Sequence, residues 1–268
     1  MPGGGPDERC KLSWDGEEWA LLGSVEYVES QLELLRQRAV VYINLDVATV
    51  GTDFFSVSGS PSMQDAVKAS ADVATCGWNA SLPALSSIWA GDIGAPGAGS
   101  DHMGFIQLAG VPIIMPEMGS NSESYEAVYH SNYDSLYWVE HFGDPGLHGH
   151  AAMCQFVGDL AMRFTDSNFL PINVSQYSTK VAAWVANYSN DPAYQFANFS
   201  FINAQVNRFR EAAMEFQFGV SEKQSLVRTQ YPSVRPSQFT ALANFNIGRV
   251  AQFIGRAARY LNNTAVFV

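Results

Sequence analysis

Ser13-Trp14-Asp15-Gly16-Glu17-Glu18, continued by Trp19-Ala20-Leu21-Leu22-Gly23-Ser24, places three carboxylates within four residues, between two tryptophans. Side-by-side Glu17 and Glu18 repel each other and gain little as a folding device. The pair makes chemical sense if a cation holds one carboxylate and proton transfer uses the other. A second reading is an acidic helix N-terminus, where carboxylates meet free N–H groups and the positive end of the helix dipole. The rest of the chain has to decide between them.

A chain of 268 residues holds one large domain, or one domain with a helical appendix. With 47% hydrophobic residues it can build a sizeable core, which excludes wholesale disorder. The net charge of −11 argues against nucleic acid as a partner, since phosphate binding needs clustered Lys and Arg. Cys10, Cys76 and Cys154 are too few and too scattered for a disulfide scaffold or a CxxC metal site. Five Asn-x-Ser/Thr tripeptides, at Asn79, Asn173, Asn187, Asn198 and Asn262, point to a glycoprotein with an extracellular or lumenal surface. No run approaches the roughly 18 apolar residues of a membrane span, and the start has no apolar signal core. A targeting segment or membrane anchor, as of a single-pass membrane protein, is therefore expected outside this chain.

Residues 1–12 read as a disordered Gly/Pro-rich tail. The apolar spacing of Leu22, Val25, Val28, Leu32 and Leu35 predicts a helix over 21–38. Val40-Val-Tyr-Ile-Asn-Leu-Asp46 reads as a buried strand ending in an acid, at the strand end where α/β sheets gather ligands. Asp46 is equally compatible with a plain turn. An edge strand over 53–57 and a Pro-initiated helix over 60–74 follow. A long Gly/Ser/Pro loop over 77–99 leads to Gly97-Ala-Gly-Ser100-Asp101-His102, which starts a helix to about 109. A short strand over 110–115 gives way to a polar, irregular stretch from Pro116 to Val128. That stretch delivers Tyr129-His130-Ser131-Asn132-Tyr133-Asp134, whose His lies on no apolar helix face. A helix is predicted over 144–164, with His148 and His150 as surface or capping residues. After Pro171 the pattern turns helical, over 175–218 and 237–261, rich in Ala, Phe and Gln.

In this order the chain resembles the co-catalytic zinc exopeptidases of the glutamate carboxypeptidase II and transferrin receptor group. The stretches that carry the resemblance are Ser-Trp-Asp-Gly-Glu-Glu-Trp-Ala-Leu-Leu-Gly-Ser, Tyr-Ile-Asn-Leu-Asp, Gly-Ala-Gly-Ser-Asp-His and Tyr-His-Ser-Asn-Tyr-Asp. The similarity runs on through Glu140-His-Phe-Gly-Asp-Pro145 into Leu170-Pro171. It implies an α/β fold: an incomplete zinc-exopeptidase sheet flanked by helices over 13–170, then an all-helical dimerisation-like domain over 171–268. It further implies two zinc ions sharing a water in the complete family site. By position Glu17 would be the general base, Glu18 and His130 would ligate one zinc, and Asp46 the other. Ser100, Asp101 and Tyr129 would line the peptide substrate's subsite. The C-terminal helices would form a homodimer, with Phe196, Phe199, Phe201, Phe209, Phe216 and Phe218 in a core or at a two-fold interface.

Two departures bear on function. The family takes a further His and a bridging Asp from upstream of Trp14, where residues 1–12 offer no His and only Asp7 and Glu8 as carboxylates. At most one weakly held zinc is therefore expected here, and impaired activity. Glutamate-selective members read a substrate carboxylate with arginines after the strand over 110–115, but this chain has no Lys or Arg between Lys68 and Arg163. The competing function is a non-catalytic receptor or interaction protein that keeps the peptidase fold. Retention of Glu17, Glu18, Asp46 and His130 favours the enzyme.

Overall fold

The computed structural model describes residues 11–122, 125–167 and 169–230. The chain divides into two compact units, Met1–Ser167 and Asn168–Val268. The tail over 1–10, with Cys10, lies outside the described residues, as do the helix predicted over 237–261 and Asn262.

The first unit opens with two helices, α1 (Leu22–Ser30) and α2 (Leu32–Arg38), where one was predicted. Gln31 separates them at φ −111°, ψ 14°, and its N–H still reaches Tyr27 O. Strand β1 is only Tyr42–Ile43, shorter than the apolar run from Val40 to Asp46. Strand β2 (Phe54–Gly59) buries every second residue. A 3-10 turn over Pro61–Met63 leads into α3 (Gln64–Ala71). The 77–99 stretch is mostly loop, with a 3-10 turn at Leu85–Ile88. Gly104–Ala109 is wound as a π-helix and ends at Gly110, left-handed at φ 71°. Strand β3 (Ile113–Gly119) follows, then the short α4 (Leu136–Trp138) and the long α5 (His148–Asp166).

The sheet has the order β1-β3-β2, with β3 parallel to β1 and antiparallel to β2. β3 runs four residues past its predicted end, straight through Pro116. A proline inside a central strand normally removes a ladder bond. Here the neighbour has already departed. On the β1 side Asn44 N–H reaches Ile114 O at 2.8 Å, and the next bond is Met118 N–H to Ala48 O at 2.9 Å. Between them Leu45, Asp46 and Val47 arc off the sheet, with Val47 at φ 48°. By the alternation of a strand, the residue facing that gap is Pro116, which has no N–H to leave unpaired.

One face of the sheet packs Ile113 against Val28, Phe105, Ala109 and Val111, with Trp14, Tyr42 and Met115 beside them. α5 is capped by Asp144, whose carboxylate accepts from Gly149 N (3.0 Å), His150 N (2.9 Å) and His150 Nδ1 (2.7 Å). The helix predicted from 144 thus starts at His148, and Asp144 serves as its anchor from outside. Burial alone would raise the Asp144 carboxyl, but these bonds outweigh it and hold it below the usual range.

In the second unit, α6 (Val174–Asn190) and α7 (Ser200–Gln230) are separated by a 3-10 turn at Pro192–Tyr194. The single helical tract predicted over 175–218 is therefore two. They share a core of Val174, Phe209 and Ala213, flanked by Tyr177, Val181 and Phe216. Asn173 starts α6 by accepting from Ser175 N. Of the six phenylalanines singled out, Phe209 is in this core and Phe216 beside it, while Phe196, Phe201 and Phe218 are exposed. Among the described residues, no helix is long and apolar enough to cross a membrane.

Candidate active site

The acidic stretch precedes α1 as a closed loop, pinned at Trp14. Trp14 packs on Tyr27 and Phe105, with ring centroids 5.1 and 5.9 Å away, and its Nε1–H donates to Tyr42 Oη at 2.9 Å. Tyr42 in turn stacks on Phe105 at 4.0 Å. This ties the loop to β1. Beyond Trp14 the chain folds back on itself: Leu21 N bonds Glu17 O, Leu22 N bonds Gly16 O, and Gly23 N bonds Asp15 O at 3.0 Å. Gly16 supplies one left-handed residue at φ 66°, while Ala20 and Leu21 adopt φ 67° and 60° without a glycine's freedom. Non-glycine residues pay roughly 1–3 kcal/mol each for such a conformation. The loop holds Glu17 and Glu18 at the turn, before α1 begins at Leu22, so the reading of the stretch as a simple helix N-terminus does not describe it.

His130 arrives from the other end of the same unit, on the turn between β3 and α4. It too is left-handed, at φ 56°, and its ring stacks on Tyr129 at 3.9 Å. Its Nε2 meets Glu18 Oε1 at 2.6 Å. Both side chains are more than half exposed, at 53% and 64%. Asp46, presented by the arc after β1, takes a hydrogen bond on Oδ2 from Ser100 Oγ at 2.6 Å. Ser100 is buried and also accepts from Asn44 Nδ2 at 2.9 Å. Asp101 is buried with Oδ1 unpaired.

The charges of these groups act on one another. Partial burial raises the Glu17 carboxyl above its usual value, and the charges of Asp46, Glu18 and Asp101 raise it further against a smaller opposing pull from His130. Burial likewise raises the Tyr129 hydroxyl, helped by Glu18, Asp46 and Glu17. Tyr42 is pushed up to about 12 by burial, with Asp101 and Asp46 adding to it and the Trp14 bond opposing.

The donors present are of the kinds zinc takes, imidazole nitrogen and carboxylate oxygen. Two of them, on Glu18 and His130, already converge, and Asp101 adds a buried carboxylate oxygen without a partner. Among the described residues, no three His, Cys, Asp or Glu side chains form a group able to hold a metal ion. The donor types are those zinc takes and one pair converges, but no third ligand joins that pair among the described residues. Sequence reading missed Asn44, although it was legible as the one polar residue inside the run from Val40 to Leu45. It also left His102 unassigned: the ring is fully buried, with Nε2 at 2.9 Å from Gly97 O and Nδ1 unpaired.

Residues 11–143 match peptidase family M28. The chain belongs to this family, in its glutamate carboxypeptidase-like branch. A probable glutamate carboxypeptidase LAMP1 from Arabidopsis thaliana is 34% identical over 185 residues, 67% of this chain and 26% of the relative. A probable glutamate carboxypeptidase from Arthroderma benhamiae is 28% identical over 250 residues, covering 90% of this chain and 34% of its own length. The aminopeptidase NAALADL1 of Rattus norvegicus is 31% identical over 191 residues, 65% of this chain and 25% of its own. The chain thus spans between a quarter and a third of the length of these M28 relatives. Its ancestry is that of a hydrolase acting on peptides.

Proposed function

We propose that the site is that of a zinc-dependent exopeptidase, with Glu17 as general base, Glu18 and His130 holding one metal, and Asp46 facing a second position. The observation that carries this reading is the 2.6 Å meeting of Glu18 and His130, brought together from the two ends of the M28 segment. A bound zinc would lower the pKa of its water towards neutrality and polarise the scissile carbonyl. Glu17 suits the base's task, since a carboxylate with a raised pKa takes a proton more readily. Asp101 and Tyr129 are proposed to contact the peptide. The relatives are named for carboxypeptidase and aminopeptidase activity, so either end of a peptide is a candidate. The absence of Lys and Arg between Lys68 and Arg163 argues against selection of a C-terminal acidic residue.

The test is hydrolysis of a panel of short peptides, blocked at one end or the other, by the zinc-supplemented chain and by Glu17→Gln. The variant should lose activity by roughly 10²–10⁴-fold while keeping its metal affinity. Equal rates for the two proteins would remove Glu17 from the chemistry.

A second reading, a protein-binding surface on a peptidase fold, is favoured by the exposed aromatics Trp19, Tyr133, Tyr137 and Phe142. An extracellular or lumenal setting is part of the proposal, supported by exposed Asn79, Asn187 and Asn198 in glycosylation tripeptides. So is a homodimer through the C-terminal helices, supported by exposed Phe196, Phe201 and Phe218, and checked by sedimentation.

A further inference from the structure

We propose that Tyr125 is a positioning residue for His130, the post on which the turn before α4 holds the imidazole against Glu18. This rests on the reading of Glu18 and His130 as the working pair of the site. His130 is left-handed at φ 56°, a conformation that a non-glycine residue keeps only where its surroundings over-determine it. Those surroundings converge on Tyr125. Its carbonyl accepts from both Val128 N and Tyr129 N, each at 2.9 Å, which folds the chain back immediately before His130. Its hydroxyl donates to Asp134 Oδ2 at 3.2 Å and so joins the start of the turn to its far side. Between them Ser131 N bonds Val128 O at 3.0 Å, and Asp134 N bonds Ser131 O at 3.2 Å.

The ring of Tyr125 supplies the other half of the support. It packs on Trp138 of α4 with centroids 5.5 Å apart and planes at 52°, and Trp138 is buried. It packs on Tyr129 at 5.5 Å and 46°, and Tyr129 stacks on the His130 ring at 3.9 Å and 22°. Trp138, Tyr125, Tyr129 and His130 therefore form a run of rings from a buried anchor to the imidazole whose Nε2 meets Glu18 Oε1 at 2.6 Å. With its side chain 53% exposed, His130 takes its orientation from this run and from the closed turn, not from enclosure.

The experiment combines peptide hydrolysis by the full chain with proton NMR of its histidine rings at fixed pH. A stacked ring shields its neighbour's protons, so those of His130, assigned by their loss in His130→Ala, should lie upfield of their unfolded positions in wild type. Tyr125→Leu, which removes ring and hydroxyl together, should return them towards those positions while leaving the His150 signals in place. Its kcat for peptide should fall by up to about 10²-fold, the effect of a misplacement near 1 Å, with KM within about twofold of wild type. Tyr125→Phe, which keeps the ring and loses only the bond to Asp134, should recover most of both. His130 signals that stay in place in Tyr125→Leu, or His150 signals that move as far as those of His130, would overturn the proposal by leaving Tyr125 no particular hold on His130. An unchanged kcat would overturn it too, and with a raised KM would give Tyr125 to the substrate. Should Tyr125→Leu fail to fold, Tyr125→Phe and Asp134→Ala take its place. A smaller downfield return of the His130 signals in both then supports the closed turn, and no movement in either refutes it. If wild type hydrolyses no peptide, the function proposed above fails on its own, and the His130 signals still decide the role of Tyr125.

Discussion

Gly23→Ala is a substitution whose sign separates this structure from a reading by helix propensity. Gly23 is the second residue of α1, and in an ordinary helix Ala would be better there by about 0.5–1 kcal/mol. A Cβ on Gly23, however, would lie 2.5 Å from Asp15 O and 2.9 Å from Asp15 N. Both atoms are backbone, so no rotamer change relieves the clash. The loop must shift by several tenths of an ångström, which costs about 1–3 kcal/mol as overpacking. The bond from Gly23 N to Asp15 O would lengthen or break, adding about 0.5–1.5 kcal/mol. Against the helical gain, the net is a loss of about 2 kcal/mol, read as a lower urea midpoint at unchanged m-value. The displaced segment carries Glu17 and Glu18, so hydrolysis should fall more than stability does, by up to about 10²-fold for a misplacement near 1 Å. A Gly23→Ala protein as stable as wild type would refute the closed loop and the placement of Glu17 that follows from it.

Other outcomes follow from the same contacts. The folded-state pKa of Asp144 is depressed, so its contribution to stability is present above the unfolded value near 3.8 and is lost as pH falls through the folded one. Asp144→Ala should cost about 2 kcal/mol at pH 7 by leaving the Gly149 and His150 amides unpaired, and should flatten the acid limb of the stability curve. Tyr42 is raised, so the opposite sign applies: its contribution is full below pH 10 and is lost as pH climbs through about 12. Tyr42→Phe should abolish that alkaline loss and cost about 1 kcal/mol through the orphaned Trp14 Nε1–H, measured by unfolding at several pH values. Phe209→Ala should destabilise the α6–α7 pair by roughly 3 kcal/mol, seen in the helical signal during urea unfolding.

How much of this was legible depends on which forces decide each element. The order of elements and the apolar core of the sheet could be read, because the runs around Tyr42, Phe55 and Ile113 record burial directly. The break at Gln31 could not, since Gln31 and its neighbours are ordinary helix residues. The extent of β3 was misread for a definite reason. Pro116 is a strand breaker only if a neighbour needs its N–H, and the departure of Leu45–Val47 that removes the need is invisible in a local pattern. In the site, residue types pointed to Glu17, Glu18, Asp46 and His130, whereas spacing alone could not place Glu18 Oε1 against His130 Nε2. Ser100 was read from its place in a motif as a residue near substrate. Its two bonds, one from Asn44 and one to Asp46, reach another segment of the chain and leave no trace in the local pattern.

Zinc content of the purified full chain tests the central claim most directly. Elemental analysis after equilibration with excess zinc and gel filtration should find metal on wild type and on Glu17→Gln, not exceeding about one ion per chain, and lost from His130→Ala and Glu18→Ala. Wild type that retains no zinc, or His130→Ala and Glu18→Ala that retain as much as wild type, would contradict the assignment of this site.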